Sequence, residues 1–187
     1  MCMESFIETY DGALTDNECD ILIEEFEDSL KEEGHVYQLS ESVIDADIKK
    51  CRSLVDSNFS DQSLISKIVR SSLNNCIDEY VKKYPGLNSY LNTWGLDDIY
   101  SFQKYEDETD GFKKWHTEHG PGPTSERILA WMFYLNNADS GTDFLYYDKL
   151  DAKKGMCVIW PAGWTHFHRG VDNIGLKYVV TGWVTFQ

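Results

Sequence analysis

Four of the five histidines in this chain fall in two tight clusters, His116 with His119 and His166 with His168. The first cluster lies in Trp115-His116-Thr117-Glu118. In a strand, residues i and i+2 point to the same face, so His116 and Glu118 would project together. An imidazole and a carboxylate on one face supply two-thirds of a two-His, one-carboxylate facial triad. That arrangement holds Fe(II) with coordination positions left open for reactants. A third ligand can come from the second cluster, in Trp160-Pro161-Ala162-Gly163-Trp164-Thr165-His166-Phe167-His168-Arg169-Gly170. If Trp164–Gly170 is a strand, His166 and His168 share a face, and alternation does not choose between them. Zinc in a hydrolase also accepts a His/Glu/His set with an open position, so these residues alone leave the metal undecided.

The elements that must position these groups change in character along the chain. Thr15 followed by Glu18 forms a capping box, and Leu22, Phe26 and Leu30 recur every four residues, predicting a helix that stops near Gly34. A second helix is expected from about Asp61 to Tyr84, with Leu64/Ile65, Ile68/Val69, Leu73, Cys76/Ile77 and Tyr80/Val81 as its apolar stripe. Pro85-Gly86 ends it. The stretch from Glu41 to Asn58 is mixed and includes a short strand. After Asn92, short runs of β-branched and aromatic residues alternate with turn residues. Expected strands are Ile99–Tyr105, Lys114–His119, Ile128–Leu135, Thr142–Tyr147, Gly155–Trp160, Trp164–Gly170 and Tyr178–Phe186. Helices first and strands afterwards imply a sheet-built core with helices packed outside it. No linker divides the chain, so the expectation is one domain over 1–187, with a helical support region at 1–92 and the metal-bearing core at 93–187.

Composition narrows the classes of partner. The 187 residues are 42% hydrophobic and 14% aromatic, which suits a packed domain rather than a disordered one. A net charge of −15 repels phosphate backbones and anionic lipid, so nucleic-acid and membrane partners are not expected. There is no twenty-residue apolar run, and the first residues lack a secretory signal, which points to the cytoplasm. Five scattered cysteines without a Cys-x-x-Cys pair imply neither a disulfide framework nor a zinc ribbon.

From about Ile99 to Trp183 the chain resembles the iron(II)- and 2-oxoglutarate-dependent dioxygenases of the prolyl 4-hydroxylase type. His116-Thr117-Glu118 is similar to that family's His-x-Asp/Glu motif, and His168 to its distal iron ligand. Lys177, nine residues after His168, matches the basic residue that pairs with the C5 carboxylate of 2-oxoglutarate; that spacing favours His168 over His166. Tyr134 matches a tyrosine supporting the same carboxylate. Tyr105 stands near another cosubstrate-contacting tyrosine, one residue further from the first histidine than is usual. A dicarboxylate needs a cation at its free end, which Lys177 supplies, and a neutral donor, which Tyr134 supplies. On its own Lys177 reads as a solvated hairpin lysine; the ordered set gives it a purpose that a zinc hydrolase would lack. Glu118 stands where Asp is commoner, adding a methylene to the ligand arm, and a carboxylate here speaks against a halogenase.

The resemblance implies a mainly β fold with flanking helices, built on a double-stranded β-helix (jelly-roll) core. It implies Fe(II) held by His116, Glu118 and His168, 2-oxoglutarate held by Lys177, Tyr134 and Tyr105, and ascorbate as an accessory reductant. The implied reaction is 2-oxoglutarate- and O2-dependent hydroxylation of prolyl residues in a peptide or protein. A free amino acid or other small molecule as substrate, or a jelly-roll binding module without turnover, are the alternatives. Trp115 and Trp164 are candidates to line a substrate groove, and loops 106–111 and 120–123 are candidate lids. An acidic chain is expected to tolerate neutral or basic peptides. His119 is expected on the face opposite the ligands, and His35 on the surface.

Overall fold

The structure, a computed structural model, describes residues 4–38, 41–56, 63–171 and 174–187. The expected start of the second helix at Asp61, the stretch ending at Asn58, and the turn at Asp172-Asn173 lie partly outside these residues. Helix α1 (Asp16–Asp28) begins at the expected capping box: the Glu18 amide donates to Thr15 Oγ1 at 3.3 Å, and Glu18 Oε2 accepts from the Thr15 amide at 2.8 Å. It ends earlier than expected, at Ser29, leaving Leu30 exposed. Gly34 is not its stop. It lies where the chain passes Cys51, and a Cβ there would come within 2.5 Å of Cys51 Sγ. Helix α2 (Leu64–Lys83) buries Ile65, Ile68, Val69, Leu73, Cys76, Ile77 and Tyr80, the expected stripe, while Leu64 remains exposed.

The strands in chain order are β1 (Glu8–Tyr10), β2 (Glu32–Glu33), β3 (His35–Gln38), β4 (Glu41–Ile44), β5 (Lys49–Lys50), β6 (Arg52–Asp56) and β7 (Trp94–Tyr105). They continue with β8 (Gly111–Phe112), β9 (Arg127–Tyr134), β10 (Ala138–Phe144), β11 (Leu150–Ala152), β12 (Cys157–Pro161), β13 (His168–Gly170) and β14 (Lys177–Phe186). A seven-stranded antiparallel sheet runs β1-β12-β9-β14-β7-β6-β2, and a three-stranded sheet β11-β10-β13 faces the site. The first 92 residues are therefore not purely helical. Three of their strands belong to the large sheet, because β6 hydrogen-bonds along β7 from Arg52↔Lys104 to Asp56↔Tyr100. The whole is a jelly-roll with two helices against one face.

The large sheet has two faces of opposite character, and strand alternation explains both. Tyr100 and Phe102 of β7, Leu129, Trp131 and Phe133 of β9, and Val180 and Val184 of β14 form one buried cluster with Leu22, Phe26, Val69 and Leu73 of the helices. The intervening residues Ser101, Gln103, Tyr105, Met132, Tyr134, Lys177, Val179, Thr181 and Trp183 line a cavity of about 870 Å³. Burying polar side chains on the second face requires partners for them, and Ser53 and Ser101 meet each other at 3.0 Å. At Gly182 the two sides press together: a Cβ would lie 2.4 Å from Trp131 Cζ2, so β14 needs glycine where it crosses the large indole. Among the described residues no helix is long and apolar enough to cross a membrane.

Candidate active site

The two histidine clusters meet, though not as two regular strands. Lys114–His119 is irregular except for one antiparallel bridge, in which the His116 amide donates to the His168 carbonyl and the His168 amide to the His116 carbonyl, each at 3.0 Å. Beyond it the amides of Glu118 and His119 both donate to the Ala162 carbonyl, at 3.2 and 2.9 Å. Two donors on one acceptor break the ladder. His116 and Glu118 share a site because the chain bends around Ala162, not because of strand alternation. Trp164–His166 likewise forms a 3-10 turn, and β13 starts only at His168.

That turn separates the two candidate third ligands. His166 points away: its Nε2 meets the Ser5 carbonyl at 2.7 Å and its ring stacks on Tyr147. His168 points inward and is 5% exposed. One ligand atom each from His116, Glu118 and His168 lie within 4.8 Å of one another. Glu118 Oε1 stands 3.7 Å from His116 Nε2 and 3.3 Å from His168 Nε2. The Nδ1 atoms are bonded to backbone carbonyls, His116 to Lys114 and His168 to His166, each at 2.9 Å. This outer bond fixes the tautomer and aims both Nε2 atoms at the common point. Phe112, stacked 3.5 Å from the His116 ring, and Trp160, edge-on to His168 at 5.1 Å, hold the ring planes.

Protonation suits a cation. Burial, then the neighbouring His168, pushes His116 below the ordinary imidazole value, toward the neutral form that ligates metal. Burial works against the Glu118 carboxylate, but the facing His116 and His168 rings outweigh it and hold the group well below the usual carboxylate range. An ionised carboxylate and a neutral imidazole are the forms a divalent metal requires.

Deeper in the same cavity lies Lys177, 4% exposed. Among the described residues no carboxylate pairs with its Nζ; its neighbour is the Tyr105 ring, 4.7 Å away. Burial alone pushes this ammonium from its ordinary 10.5 down to about 8. Tyr134 and Thr142 share a hydrogen bond of 2.6 Å on the cavity wall, and the Tyr105 hydroxyl donates to Gln103 Oε1 at 2.6 Å. Burial raises both phenols, keeping them protonated donors. A buried cation without a counter-ion is costly, and here it lines a cavity that also holds three metal-type ligands.

Residues 100–185 match the sequence profile of the 2OG-Fe(II) oxygenase superfamily. The chain is similar to that superfamily over these residues, a little under half of its length. It is a non-haem oxygenase that uses Fe(II) and 2-oxoglutarate. Its fold is that of solved prolyl hydroxylases. A viral collagen prolyl hydroxylase from Paramecium bursaria Chlorella virus-1, in complex with 2-oxoglutarate, is 15% identical, with a TM-score of 0.65 over 96% of this chain and 95% of its own. A Trichoplax adhaerens prolyl hydroxylase, in complex with a fragment of the hypoxia-inducible-factor oxygen degradation domain, is 15% identical, with a TM-score of 0.74 over 97% and 84%. A Pseudomonas putida prolyl-4-hydroxylase is 12% identical, with a TM-score of 0.68 over 98% and 94%. No curated protein sequence matches the chain.

Three residues that touch the candidate ligands or the cavity wall were not singled out from the sequence. Glu118 Oε2 accepts from Trp183 Nε1 at 2.8 Å and lies 3.4 Å from Arg127 Nη1, whose guanidinium stacks 3.3 Å from the Trp183 ring. Thr142 is the third. Alternation along β14 could have placed Trp183 on the Lys177 side, but along β9 it puts Arg127, seven residues before Tyr134, on the opposite face; the register shift next to Arg127 accompanies its place on the cavity wall, and no spacing rule links either residue to Glu118. Trp115 lines the cavity beneath the Arg169 guanidinium, as expected of a groove residue, whereas Trp164 is 71% exposed and lines none of it. Loop 106–111 lies off the cavity wall. Asp110 accepts the Glu106 amide, Lys50 pairs with Asp110 at 2.9 Å, and the loop contributes nothing to the cavity wall. Gly120 and Pro121 of the other loop do line it. His119 faces the cavity too, with Nδ1 3.1 Å from the Arg127 carbonyl, which corrects its expected outward placement.

Proposed function

We propose that the protein hydroxylates prolyl residues of a peptide or protein, with Fe(II) held by His116, Glu118 and His168 and 2-oxoglutarate held by Lys177, Tyr134 and Tyr105. The observation that carries this assignment is the Lys177 ammonium, buried without an acidic partner among the described residues and lining the cavity of the three ligand atoms. A dianion with one carboxylate at Lys177 and its oxoacid end at the metal would satisfy both. A zinc hydrolase leaves this lysine without a role. Bound together, metal and cosubstrate would supply the chemistry by which O2 puts one oxygen atom into succinate, formed from 2-oxoglutarate with loss of CO2, and the other into a C–H bond of the substrate as hydroxyl.

The chain's own groups do the positioning. Lys177 binds the far carboxylate, and the protonated Tyr134 hydroxyl, shared with Thr142, offers a neutral donor beside it. Trp183 and Arg127 hold Glu118 Oε2, leaving Oε1 turned toward the two imidazoles. The apolar Met132, Val179 and Trp160 walls exclude water from the cosubstrate end. The first 92 residues add strands to the sheet that carries the site, which supports one catalytic unit over 1–187.

The prolyl assignment draws on fold likeness to the three hydroxylases named above and on a cavity large enough for cosubstrate and a side chain together. The test is to incubate the protein with Fe(II), 2-oxoglutarate and ascorbate, and with proline-containing peptides or free amino acids, following succinate and substrate mass. Gain of one oxygen on peptidyl proline is the expected result. Oxygen gain on a free amino acid and on no peptide would overturn the peptide assignment.

A further inference from the structure

Charge is distributed very unevenly over this molecule. The chain carries 32 Asp and Glu against 17 Lys and Arg. Among the described residues the cavity reverses that balance, with five basic side chains on its walls and two acidic ones, Glu32 and Glu118. Glu118 is taken by the metal on the assignment above, and Lys177 by the cosubstrate. Fe(II) and Lys177 together match the charge of Glu118 plus a 2-oxoglutarate dianion, so the reacting centre is close to neutral once loaded. The remaining wall still carries Lys49, Lys114, Arg127 and Arg169 against Glu32. Arg127 is committed to Glu118, but Lys114 and Arg169 have no part in holding the metal or the cosubstrate.

These two flank the bridged ligand histidines on the cavity wall. Lys114 precedes His116 by two residues and Arg169 follows His168 by one, and His116 and His168 are paired across the bridge. Lys114 is exposed at the rim, and among the described residues no carboxylate pairs with its ammonium. Arg169 lies over the Trp115 ring at 4.5 Å, with Nε and Nη2 bonded to Asp143 Oδ2 at 3.2 and 3.1 Å. Asp143 holds the guanidinium on the indole without itself lining the cavity. Because an extended peptide advances about 3.3 Å per residue, side chains one to three positions from the reacting residue reach this rim.

Resting on the prolyl assignment, we propose that the enzyme selects prolyl segments flanked by acidic side chains, which Lys114 and Arg169 engage at the cavity mouth. A chain of net charge −15 disfavours acidic peptides in general, so a basic rim at the cavity would favour their capture at the site. The net charge by itself suggested neutral or basic peptides; the placement of the charges reverses that expectation.

Three peptides with one prolyl core test the proposal, carrying Glu, Gln or Lys at the flanking positions within three residues of the proline. Binding to protein loaded with Mn(II) and 2-oxoglutarate is read by fluorescence anisotropy, and hydroxylation with Fe(II) by mass. The expected order of kcat/KM is Glu, then Gln, then Lys, spanning about tenfold or more at low ionic strength and narrowing as salt screens the rim. Lys114→Glu, on an exposed side chain that folding does not need, should flatten or invert the order, with the loss confined to peptide KM. Arg169→Gln should act in the same direction. Equal rates for the Glu and Gln peptides, or a preference for Lys, would overturn acidic selection and leave prolyl hydroxylation standing. Hydroxylation of none of the three, with succinate formed on free amino acids, would overturn both.

Discussion

Replacing Lys177 by methionine should make the protein more stable and a poorer binder of 2-oxoglutarate. Burial lowers the ammonium from 10.5 to about 8. At about 1.4 kcal/mol per pH unit, keeping it charged without a partner anion costs about 3 kcal/mol. Between pH 8 and 10.5 the folded protein holds fewer protons than the unfolded chain, so its stability rises with pH across that window. Below pH 8 the penalty is fully present. Methionine, similar in length and uncharged, removes it, and the melting midpoint near pH 7 should rise by several degrees, since about 2–4 °C accompanies each kcal/mol at this size. The same substitution deletes a charge-assisted bond of about 1.5–3 kcal/mol, so Kd for 2-oxoglutarate should rise by about tenfold to a hundredfold. In the wild type the dianion binds the charged lysine, so Kd should climb as pH passes 8, approaching tenfold per unit; in Lys177→Met that dependence should vanish. The assay is titration of the Mn(II)-loaded protein with 2-oxoglutarate from pH 6.5 to 9.5 by calorimetry, alongside melting curves without cosubstrate. A variant that binds 2-oxoglutarate like the wild type, or that melts lower, would refute the reasoning.

His116→Ala, Glu118→Ala and His168→Ala should each abolish Mn(II) binding measured by electron paramagnetic resonance, whereas His166→Ala, whose ring faces Ser5 and Tyr147, should retain it; the opposite ranking of the two late histidines would show the ligand assignment to be wrong. Trp183→Phe keeps the ring under Arg127 but removes the donor to Glu118 Oε2, and should weaken Mn(II) affinity about tenfold or more; an unchanged affinity would mean that Arg127 alone fixes the carboxylate. Gly182→Ala drives a methyl group to 2.4 Å from Trp131 and should destabilise the fold by about 1–3 kcal/mol in urea titration, with the slope unchanged.

Local chemistry made much of this protein legible from its sequence. The Thr15/Glu18 capping box places α1 through side-chain bonds to amides three residues away, and the stripe from Ile65 to Tyr80 places α2 through period alone. Along β7, β9 and β14, alternation separates a face that packs on helices from a face of polar and basic groups, so Lys177 and Tyr134 fall on the same side as the cavity. These signals survive in sequence because they depend on neighbours within a few positions.

The choice between His166 and His168 depended on something no periodicity records. Residues 164–166 wind into a 3-10 turn and rotate one imidazole toward Ser5 before β13 begins. The bend of Glu118 around the Ala162 carbonyl, the clasp of Trp183 and Arg127 on Glu118 Oε2, and the partnership of Thr142 with Tyr134 join residues 8 to 65 positions apart. Charge shows the same division most clearly. The sequence by itself determined how much of each sign the chain carries, because composition is additive. Only the tertiary structure decided that, among the described residues, five cations and two acids would line the cavity, because a local electrostatic potential depends on distances in space and not on positions along the chain.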